Sequence, residues 1–137
     1  MEDYIKSEII LREMELDSSV KIDLDSLTKW LIVALGLGNP KSKALVVLLK
    51  MLLKYRFMDR YFRVQDEQFS VSLKTIYYYL HKLQEIGFVK KSPKGYLIGE
   101  SIKEPLKDFL RRYYKERMER ALSQVDKALD SFKSKVY

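Results

Sequence analysis

Hydrogen-bonding and cationic side chains that could contact a polyanion are concentrated between residues 72 and 94. On a helix over residues 72–86, the outward or lateral positions belong to Ser72, Lys74, Thr75, Tyr78, His81 and Lys82, with Tyr77 at an edge. A segment with the turn residues of a hairpin follows and carries Lys90, Lys91 and Lys94. Lysines are flexible point charges suited to phosphate, whereas one face of a helix can reach base edges in the major groove. The pattern therefore indicates a surface suited to double-stranded DNA.

The residue inventory offers little for catalysis or metal binding. The chain has no cysteine and a single histidine, His81, which excludes disulfides, cysteine-based zinc sites and two-histidine metal motifs. For His81, a plain surface or core-edge role competes with a phosphate contact. Gly36-Leu37-Gly38 lacks the third glycine of a nucleotide-binding loop, and no pairing of nucleophile and base stands out. We therefore predict no enzyme activity, no catalytic residue, no metal and no cofactor.

The positive charge is unevenly distributed along the chain. In total there are 26 Lys and Arg against 19 Asp and Glu, a net charge of +7. Residues 1–40 hold 4 basic and 8 acidic side chains, residues 41–100 hold 12 and 5, and residues 101–137 hold 10 and 6. A basic block with an acidic flank favours a polyanionic partner. A charge-rich solvated surface of the kind found in thermophilic proteins is the alternative.

A length of 137 residues gives room for one domain with a real core. The acidic N-terminus lacks the apolar run of a secretory signal. The longest apolar stretches, residues 31–35 and 44–49, are far too short to span a bilayer. We therefore expect a cytoplasmic protein that does not contact a membrane.

Residues 1–24 are read as an N-terminal extension. Asp3 to Leu16 has the ragged periodicity of a weak helix, and Asp17-Ser18-Ser19 is typical of a break. The alternation of Val20, Ile22 and Leu24 indicates a short strand or an extended lead-in.

Two helices are predicted next. Asp25 or Ser26 is expected to cap the first, which runs through Leu35 and stops at Gly36. Asn39-Pro40 is a typical start for the second, which is apolar over more than half its circumference and ends near Tyr55. A helix of that composition belongs in the middle of a core.

The segment after residue 60 has the pattern of short strands around one long helix. Tyr61–Val64 is a strand candidate, and Gln65–Val71 reads as a turn or a short helix. Ser72 is expected to cap a helix that runs to Ile86 and stops at Gly87. Its predicted core stripe is Leu73, Ile76, Leu80 and Leu83, with Tyr79 as the inward member of the run Tyr77-Tyr78-Tyr79. Two further strands, Phe88–Lys91 and Tyr96–Ile98, flank the turn Ser92-Pro93-Lys94-Gly95.

A long helix is predicted from about Pro105 to the end, after a possible capping box at Ser101 and Glu104. Apolar residues on it step by 4-3-4-3-4, which is the heptad seam of a coiled coil: Met118, Leu122, Val125, Leu129, Phe132 and Val136. Leu106, Leu110 and Tyr114 continue the seam upstream in steps of four. We predict a homodimer through Leu110, Tyr114 and the seam, with packing on its own domain as the alternative.

These elements predict a mainly α protein with a small antiparallel sheet, in the order of a winged helix-turn-helix with a long C-terminal dimerisation helix. The winged-helix domain is expected over residues 25–100, and the dimerisation helix over residues 101–137. In such folds one helix enters the major groove and the hairpin contacts the DNA backbone or the minor groove.

Residues 75–89, TIYYYLHKLQEIGFV, resemble the reading helix and following strand of the TrmB family of archaeal regulators, within the wider MarR-like winged helices. The matching positions are Thr75, Ile76, Tyr77, Leu80, Leu83, Gly87 and Val89. The likeness extends over about residues 26–135. The chain departs from the family at Arg56–Val71, where a glycine and a regular second helix are usual. The family's large sugar-binding domain is not found here, so the resemblance does not imply sugar sensing.

The resemblance implies a sequence-specific transcription regulator that binds a palindromic duplex as a dimer. Half-sites would then lie about one helical turn, roughly 34 Å, apart. Two alternatives stay open: a winged helix that binds other proteins, and a non-specific architectural DNA-binding protein.

Overall fold

The computed structural model describes residues 4–17, 19 and 21–136, which fall into two units, residues 10–106 and residues 4–9 with 107–136. The larger unit holds three helices, α1 (Leu24–Ala34), α2 (Lys43–Phe57) and α3 (Leu73–Glu85), and two strands, β1 (Val89–Ser92) and β2 (Gly95–Ile98). The other unit is mostly α4 (Leu106–Val136), whose first residue closes the larger unit. The described part of the chain is thus mainly helical with a small antiparallel sheet, as predicted.

Helix α2 forms the centre of the larger unit because it is apolar on most of its circumference. It contacts α1, α3 and β2. Its buried residues include Leu45, Leu48, Leu49, Leu52 and Leu53. The predicted start was three residues early, because Ser42 rather than Asn39 is the N-cap and accepts a hydrogen bond from the Leu45 amide. The Asn39 side chain accepts from the Lys41 amide at 2.9 Å and stabilises the preceding turn.

Helix α1 also begins earlier than predicted. The cap is Asp23, whose carboxylate accepts from the Ser26 amide at 2.7 Å, so Leu24 already lies in the helix. That hydrogen bond lowers the pKa of Asp23. Asp25, one of the predicted caps, instead pairs with Lys29 at 3.0 Å.

The helix predicted from Asp3 to Leu16 is wrong over the described residues 5–16, which contain no helix. Tertiary hydrogen bonds take the place of helical ones: the Arg12 amide donates to the Ala34 carbonyl at 2.7 Å, and the Trp30 indole donates to the Glu15 carbonyl at 3.1 Å. The Arg12 guanidinium also donates to the Val33 carbonyl. This segment therefore donates to two carbonyls at the end of α1, where a helix lacks its own donors; the Val33 carbonyl also accepts from the Gly36 amide at 3.3 Å.

The strand proposed before α1 is not formed either. Residues 21–23 have no regular structure and Leu24 is helical, while Val20 lies outside the described residues. Asp3 and Ser18, the first residue of the predicted N-terminal helix and the middle of the predicted break, also lie outside them.

The hairpin forms within one residue of its predicted position. β1 and β2 pair antiparallel with Lys90 opposite Leu97 and Lys91 opposite Tyr96. The strand predicted at Tyr61–Val64 is reduced to a single bridge, in which Phe62 and Tyr96 exchange main-chain hydrogen bonds at 2.8 and 2.7 Å. Gly95 permits this approach: its φ is +132°, and a Cβ there would lie 2.6 Å from the Phe62 carbonyl oxygen. The stretch Gln65–Val71, predicted as a turn or a short helix, overlaps one 3-10 turn, Val64–Asp66.

Arg56 is the one buried cation among the described residues, with 5% of its surface exposed. It lies near the end of α2. Its guanidinium donates to the main-chain carbonyls of Ile98 at 2.9 Å, Ser101 and Ile102 at 3.2 Å each, and Glu104. These hydrogen bonds fix the chain between β2 and α4.

In the smaller unit, residues 4–9 run beside α4. The Arg117 guanidinium donates to the Glu8 carbonyl at 2.6 Å, and a shallow cavity lies between residues 4–9 and Arg117, Ala121 and Gln124. Phe109 and Tyr113 are buried, with ring centroids 5.6 Å apart. Burial raises the pKa of Tyr113, and it raises that of the neighbouring Tyr114 to about 12.

None of the helices in the described ranges combines the length and apolar content that crossing a bilayer requires.

Candidate nucleic-acid interface

Helix α3 carries most of the side chains predicted to contact DNA. Ser72 is its N-cap, because its hydroxyl accepts from the Lys74 amide at 3.2 Å. Ile76, Leu80 and Leu83 are buried at the i, i+4, i+7 spacing of one helix face. The opposite face is therefore held outward by the core stripe. The end of α3 is also as predicted, with Ile86 as the C-cap and Gly87 at φ +76°.

The predicted stripe is wrong at its first position. Leu73 is 55% exposed, although its spacing from Ile76 and Leu80 places it on the same side. The buried residues of α3 are Ile76, Leu80 and Leu83, so the first turn extends beyond the surface against which the helix packs. An apolar side chain thus stands beside Lys74 on the exposed end of α3.

Five of the predicted contact residues on α3 have exposed side chains: Lys74, Tyr77, Tyr78, His81 and Lys82. Thr75 is only partly exposed, and the Ser72 hydroxyl is engaged in the cap. Of the three consecutive tyrosines, Tyr79 is the inward one, as predicted: it is half-buried and shares a hydrogen bond of 3.0 Å with the Ser42 hydroxyl.

Side-chain contacts on α3 affect the charge that its exposed face presents to solvent. The Lys82 ammonium lies 4.9 Å from the centroid of the Tyr78 ring, and hydrogen bonding to Tyr78 raises the pKa of Lys82. His81 Nε2 lies 2.9 Å from an oxygen of Glu85, both of them well exposed. Lys74 and Lys82 therefore supply the fixed positive charge of this face, whereas that of His81 is balanced by a carboxylate when the ring is protonated.

The hairpin presents all three of its predicted lysines to solvent. Lys90 and Lys91 are consecutive in β1, so they leave the sheet on opposite faces. The Lys91 ammonium lies 5.8 Å from the Tyr96 ring centroid, and the Lys94 ammonium lies 5.9 Å from that of Tyr61. The three lysines therefore lie on two faces of the hairpin and in its turn. A single DNA surface cannot contact all three of them equally.

Arg63 is an exposed cation beside the hairpin that no sequence pattern indicates. It follows Phe62, the bridge partner of Tyr96, and its Cγ is 3.0 Å from where a Cβ on Gly95 would stand. Lys41 and Lys43 are exposed on either side of Ser42, which is hydrogen bonded to Tyr79 of α3. No spacing in the sequence links these residues to α3 or the hairpin, since their proximity depends on how the chain folds back.

On α4, the predicted dimerisation residues divide into two groups. Leu110 and Tyr114 are half-buried. The seam residues Met118, Leu122, Val125, Leu129 and Phe132 are each more than half exposed, and the side chain of Val136 lies outside the described residues. The buried Phe109 and Tyr113 sit one position before Leu110 and Tyr114, and the steps of four in the sequence missed them. Packing within one chain therefore leaves an apolar stripe of five residues uncovered.

Within residues 4–17, 19 and 21–136, no group of three or more His, Asp or Glu side chains is arranged to hold a metal ion. Comparison of the chain with models of protein families, with curated proteins and with solved structures finds no match.

Proposed function

We propose that this chain is a winged helix-turn-helix protein that binds double-stranded DNA with sequence preference and regulates transcription as a cytoplasmic homodimer. The observation that carries the proposal is the exposed face of α3, with Lys74 and Lys82, followed directly by a hairpin with three exposed lysines. The order α2, bridge at Phe62, short turn, α3, β1 and β2 supports a winged helix whose second helix is reduced to the turn Val64–Asp66.

The first turns of α3 are the proposed base-reading region. In helix-turn-helix complexes the N-terminal residues of the recognition helix contact base edges. Lysine can donate to guanine, and threonine can hydrogen-bond or touch the methyl of thymine. We assign these roles to Lys74 and Thr75. Because Thr75 is half-buried, only the exposed part of its side chain can contact a base. Tyr77, Tyr78, His81 and Lys82 flank them.

The hairpin is the proposed backbone-contacting wing. Lys94 in the turn and either Lys90 or Lys91 can approach phosphates together, because the latter two lie on opposite faces. Arg63 adds a cation beside the turn. Such contacts position a protein on a duplex without reading its sequence.

The regulatory role rests on the resemblance of residues 75–89 to the TrmB family. Regulators with that kind of reading helix bind as dimers, and the uncovered seam of α4 supplies a surface for self-association. No effector is proposed.

Sequence reading is tested by Thr75→Val and Lys74→Ala on a duplex obtained by binding-site selection. Loss of a good base contact should cost about 1–3 kcal/mol on the selected site and much less on random DNA. Thr75→Val is the cleaner probe, because it removes the hydroxyl and keeps the shape. Lys127→Ala, an exposed lysine on α4, is the matched control. If the ratio of specific to random affinity stays at the wild-type value in both variants, α3 does not read bases.

Backbone contact is tested by replacing Lys90, Lys91 and Lys94 together with alanine. Binding should weaken similarly on all sequences, and each lost phosphate contact should flatten the log–log salt dependence by roughly 0.9. Because Lys90 and Lys91 lie on opposite faces of the hairpin, we expect the triple variant to lose about two phosphate contacts rather than three. A triple alanine variant at Lys107, Lys115 and Lys127 carries the same change in charge. An unchanged slope in the hairpin variant would contradict the wing assignment.

A protein-binding module is the second candidate, because α3 also exposes apolar surface. Leu73, Tyr77 and Tyr78 are each about half exposed on it, and aromatic residues of this kind are common at protein interfaces. The same binding assays decide between the two. A chain that shows no salt-dependent affinity for any duplex would be assigned to protein contacts, whereas equal affinity for all duplexes would indicate an architectural DNA-binding protein.

A further inference from the structure

The uncovered seam of α4 also carries information about how two copies would pair. In heptad terms Leu122 and Leu129 occupy a positions, and Met118, Val125 and Phe132 occupy d positions. The flanking e positions are charged, with Glu119, Asp126 and Lys133, while the g positions at 121 and 128 are alanines and the g position at 135 is a lysine. All three e side chains are exposed.

We propose that two copies of α4 pair antiparallel, in the register that sets Glu119 of one copy against Lys133 of the other. This inference rests on the homodimer of the proposed function and adds its orientation and register. The arrangement is centred near residue 127 of both helices.

Overlap of the seams favours this register. In an antiparallel coiled coil each a residue packs in a layer with a d residue of the other copy. With the centre at residue 127, Leu122 meets Phe132, Leu129 meets Val125, and Met118 faces position 136 of the second copy. Every seam position then has a partner. Moving the register by one heptad in either direction leaves seam residues unpaired and exposed.

Charge favours the same register. Antiparallel pairing brings e positions of the two helices together, which gives two symmetric Glu119–Lys133 contacts and one repulsive Asp126–Asp126 contact. If the register moved by one heptad toward the start of α4, Glu119 of each copy would face Asp126 of the other, which gives two repulsive contacts. Parallel pairing would set each e residue against a g residue five positions earlier, so Glu119, Asp126 and Lys133 would face Tyr114, Ala121 and Ala128. No pair of opposite charges forms in that case.

Within the described smaller unit, the e side of α4 is not covered by residues 4–9. Residues 4–9 lie over Arg117, Ala121 and Gln124. On a helical wheel these positions are on the far side of the seam from Glu119, Asp126 and Lys133. The segment therefore does not cover the e positions.

Antiparallel pairing would place the two copies of Leu106, the first residue of α4, at opposite ends of the α4 pair. Leu106 lies 21 residues from the centre at residue 127, which is about 31 Å at 1.5 Å per residue. The two attachment points would be about 60 Å apart, against about 10 Å for parallel helices.

Orientation can be tested by disulfide formation, because the chain has no cysteine of its own. Val125→Cys and Leu129→Cys are made as separate full-length chains, each oxidised alone and then as a mixture. Antiparallel pairing brings position 125 of one copy to position 129 of the other, so a covalent dimer should form in the mixture only. Parallel pairing places each position against itself within reach of a disulfide. Covalent dimers from each chain alone would overturn the proposal, as would none in any sample that sediments as a dimer.

The register is tested by reversing charges. Glu119→Lys should weaken the dimer about ten-fold, because two attractive contacts become repulsive. Adding Lys133→Glu should restore the wild-type dissociation constant within about two-fold. Asp130→Lys makes the same change in charge at an exposed position away from the seam and should have little effect. If Glu119→Lys and Asp130→Lys behave alike, the register is wrong.

Failure of the pairing and failure of the proposed function give different results. If the wild-type chain sediments as a monomer, both this inference and the dimer part of the proposed function are refuted, while salt-dependent binding to duplex DNA still tests the α3 and hairpin assignments. If the chain dimerises with the wrong orientation, only this inference is lost.

Discussion

Replacing Arg56 with methionine should destabilise the larger unit more than any other single loss of charge. The substitution keeps the apolar length of the side chain and removes the guanidinium. That group donates to four main-chain carbonyls between Ile98 and Glu104. Without it, the buried Ile98 carbonyl and the half-buried Ile102 carbonyl lose this donor, whereas the Ser101 carbonyl keeps a hydrogen bond of 3.2 Å from the Glu104 amide.

The magnitude follows from how many of the carbonyls can be rehydrated. Ile98 is fully buried, Ile102 and Glu104 are half-buried, and Ser101 is exposed. An unpaired buried acceptor costs about 1–3 kcal/mol. If one carbonyl stays without water and a second is only partly rehydrated, the free energy of unfolding should fall by about 3 kcal/mol. For a chain of this size that corresponds to a Tm lower by about 10 °C.

Urea titration followed by the fluorescence of Trp30 measures this loss in the relevant unit. Trp30 is the single tryptophan of the chain and lies in α1, so its signal reports on residues 10–106. Lys54→Met, on the exposed side of the same helix, removes the same charge and should change the free energy by no more than about 0.5 kcal/mol. Arg56→Lys keeps the charge but offers one ammonium group in place of a planar fork, so it should recover only part of the stability.

The result that would refute this reasoning is equality of the two methionine variants. If Arg56→Met and Lys54→Met unfold at the same urea concentration, the carbonyls between β2 and α4 do not depend on the guanidinium. The connection would then be held by its apolar contacts alone.

Two further predictions concern the N-terminus of α1 and the seam. Because the Ser26 amide lowers the pKa of Asp23 in the folded chain, the contribution of this cap is complete above about pH 4 and is lost as the pH falls through the lowered value. Asp23→Asn retains a capping oxygen, so the decline in stability below pH 4 should be shallower by urea titration, and an identical pH profile would contradict the role of the carboxylate. Leu122→Glu combined with Val125→Glu should convert the proposed dimer to monomers, since charges buried in an apolar seam are costly when unpaired. Sedimentation velocity checks this, and a wild-type dimer in the double variant would exclude α4 as the association surface.

Much of the larger unit was predictable because its signals are local. The apolar circumference of α2, the Ser72 cap, the stop at Gly87 and the turn residues of the hairpin each depend on neighbours within a few positions. For the same reason the exposed cations of α3 and the hairpin were identifiable before the fold was known.

The errors occurred where a long-range partner replaced a local one. Periodicity suggested a helix around Arg12, but its amide and guanidinium bind the end of α1. Tyr61–Val64 has the composition of a strand, yet its pairing is limited to Phe62, which needs the glycine at position 95 to approach. Leu73 continues a helical stripe in sequence, but the surface that buries the stripe ends before it.

The sequence by itself determined the mainly helical character, the four long helices of the described part, the hairpin and the positive charge around it, because periodicity, caps, turn residues and net charge are properties of short segments. Only the tertiary structure decided that Arg56 is buried against main-chain carbonyls, that Arg63 stands beside the hairpin, and that Phe109 and Tyr113 rather than their neighbours are the buried residues of α4. The physical reason is that burial depends on which surfaces meet when the chain folds back, and no local spacing encodes that meeting.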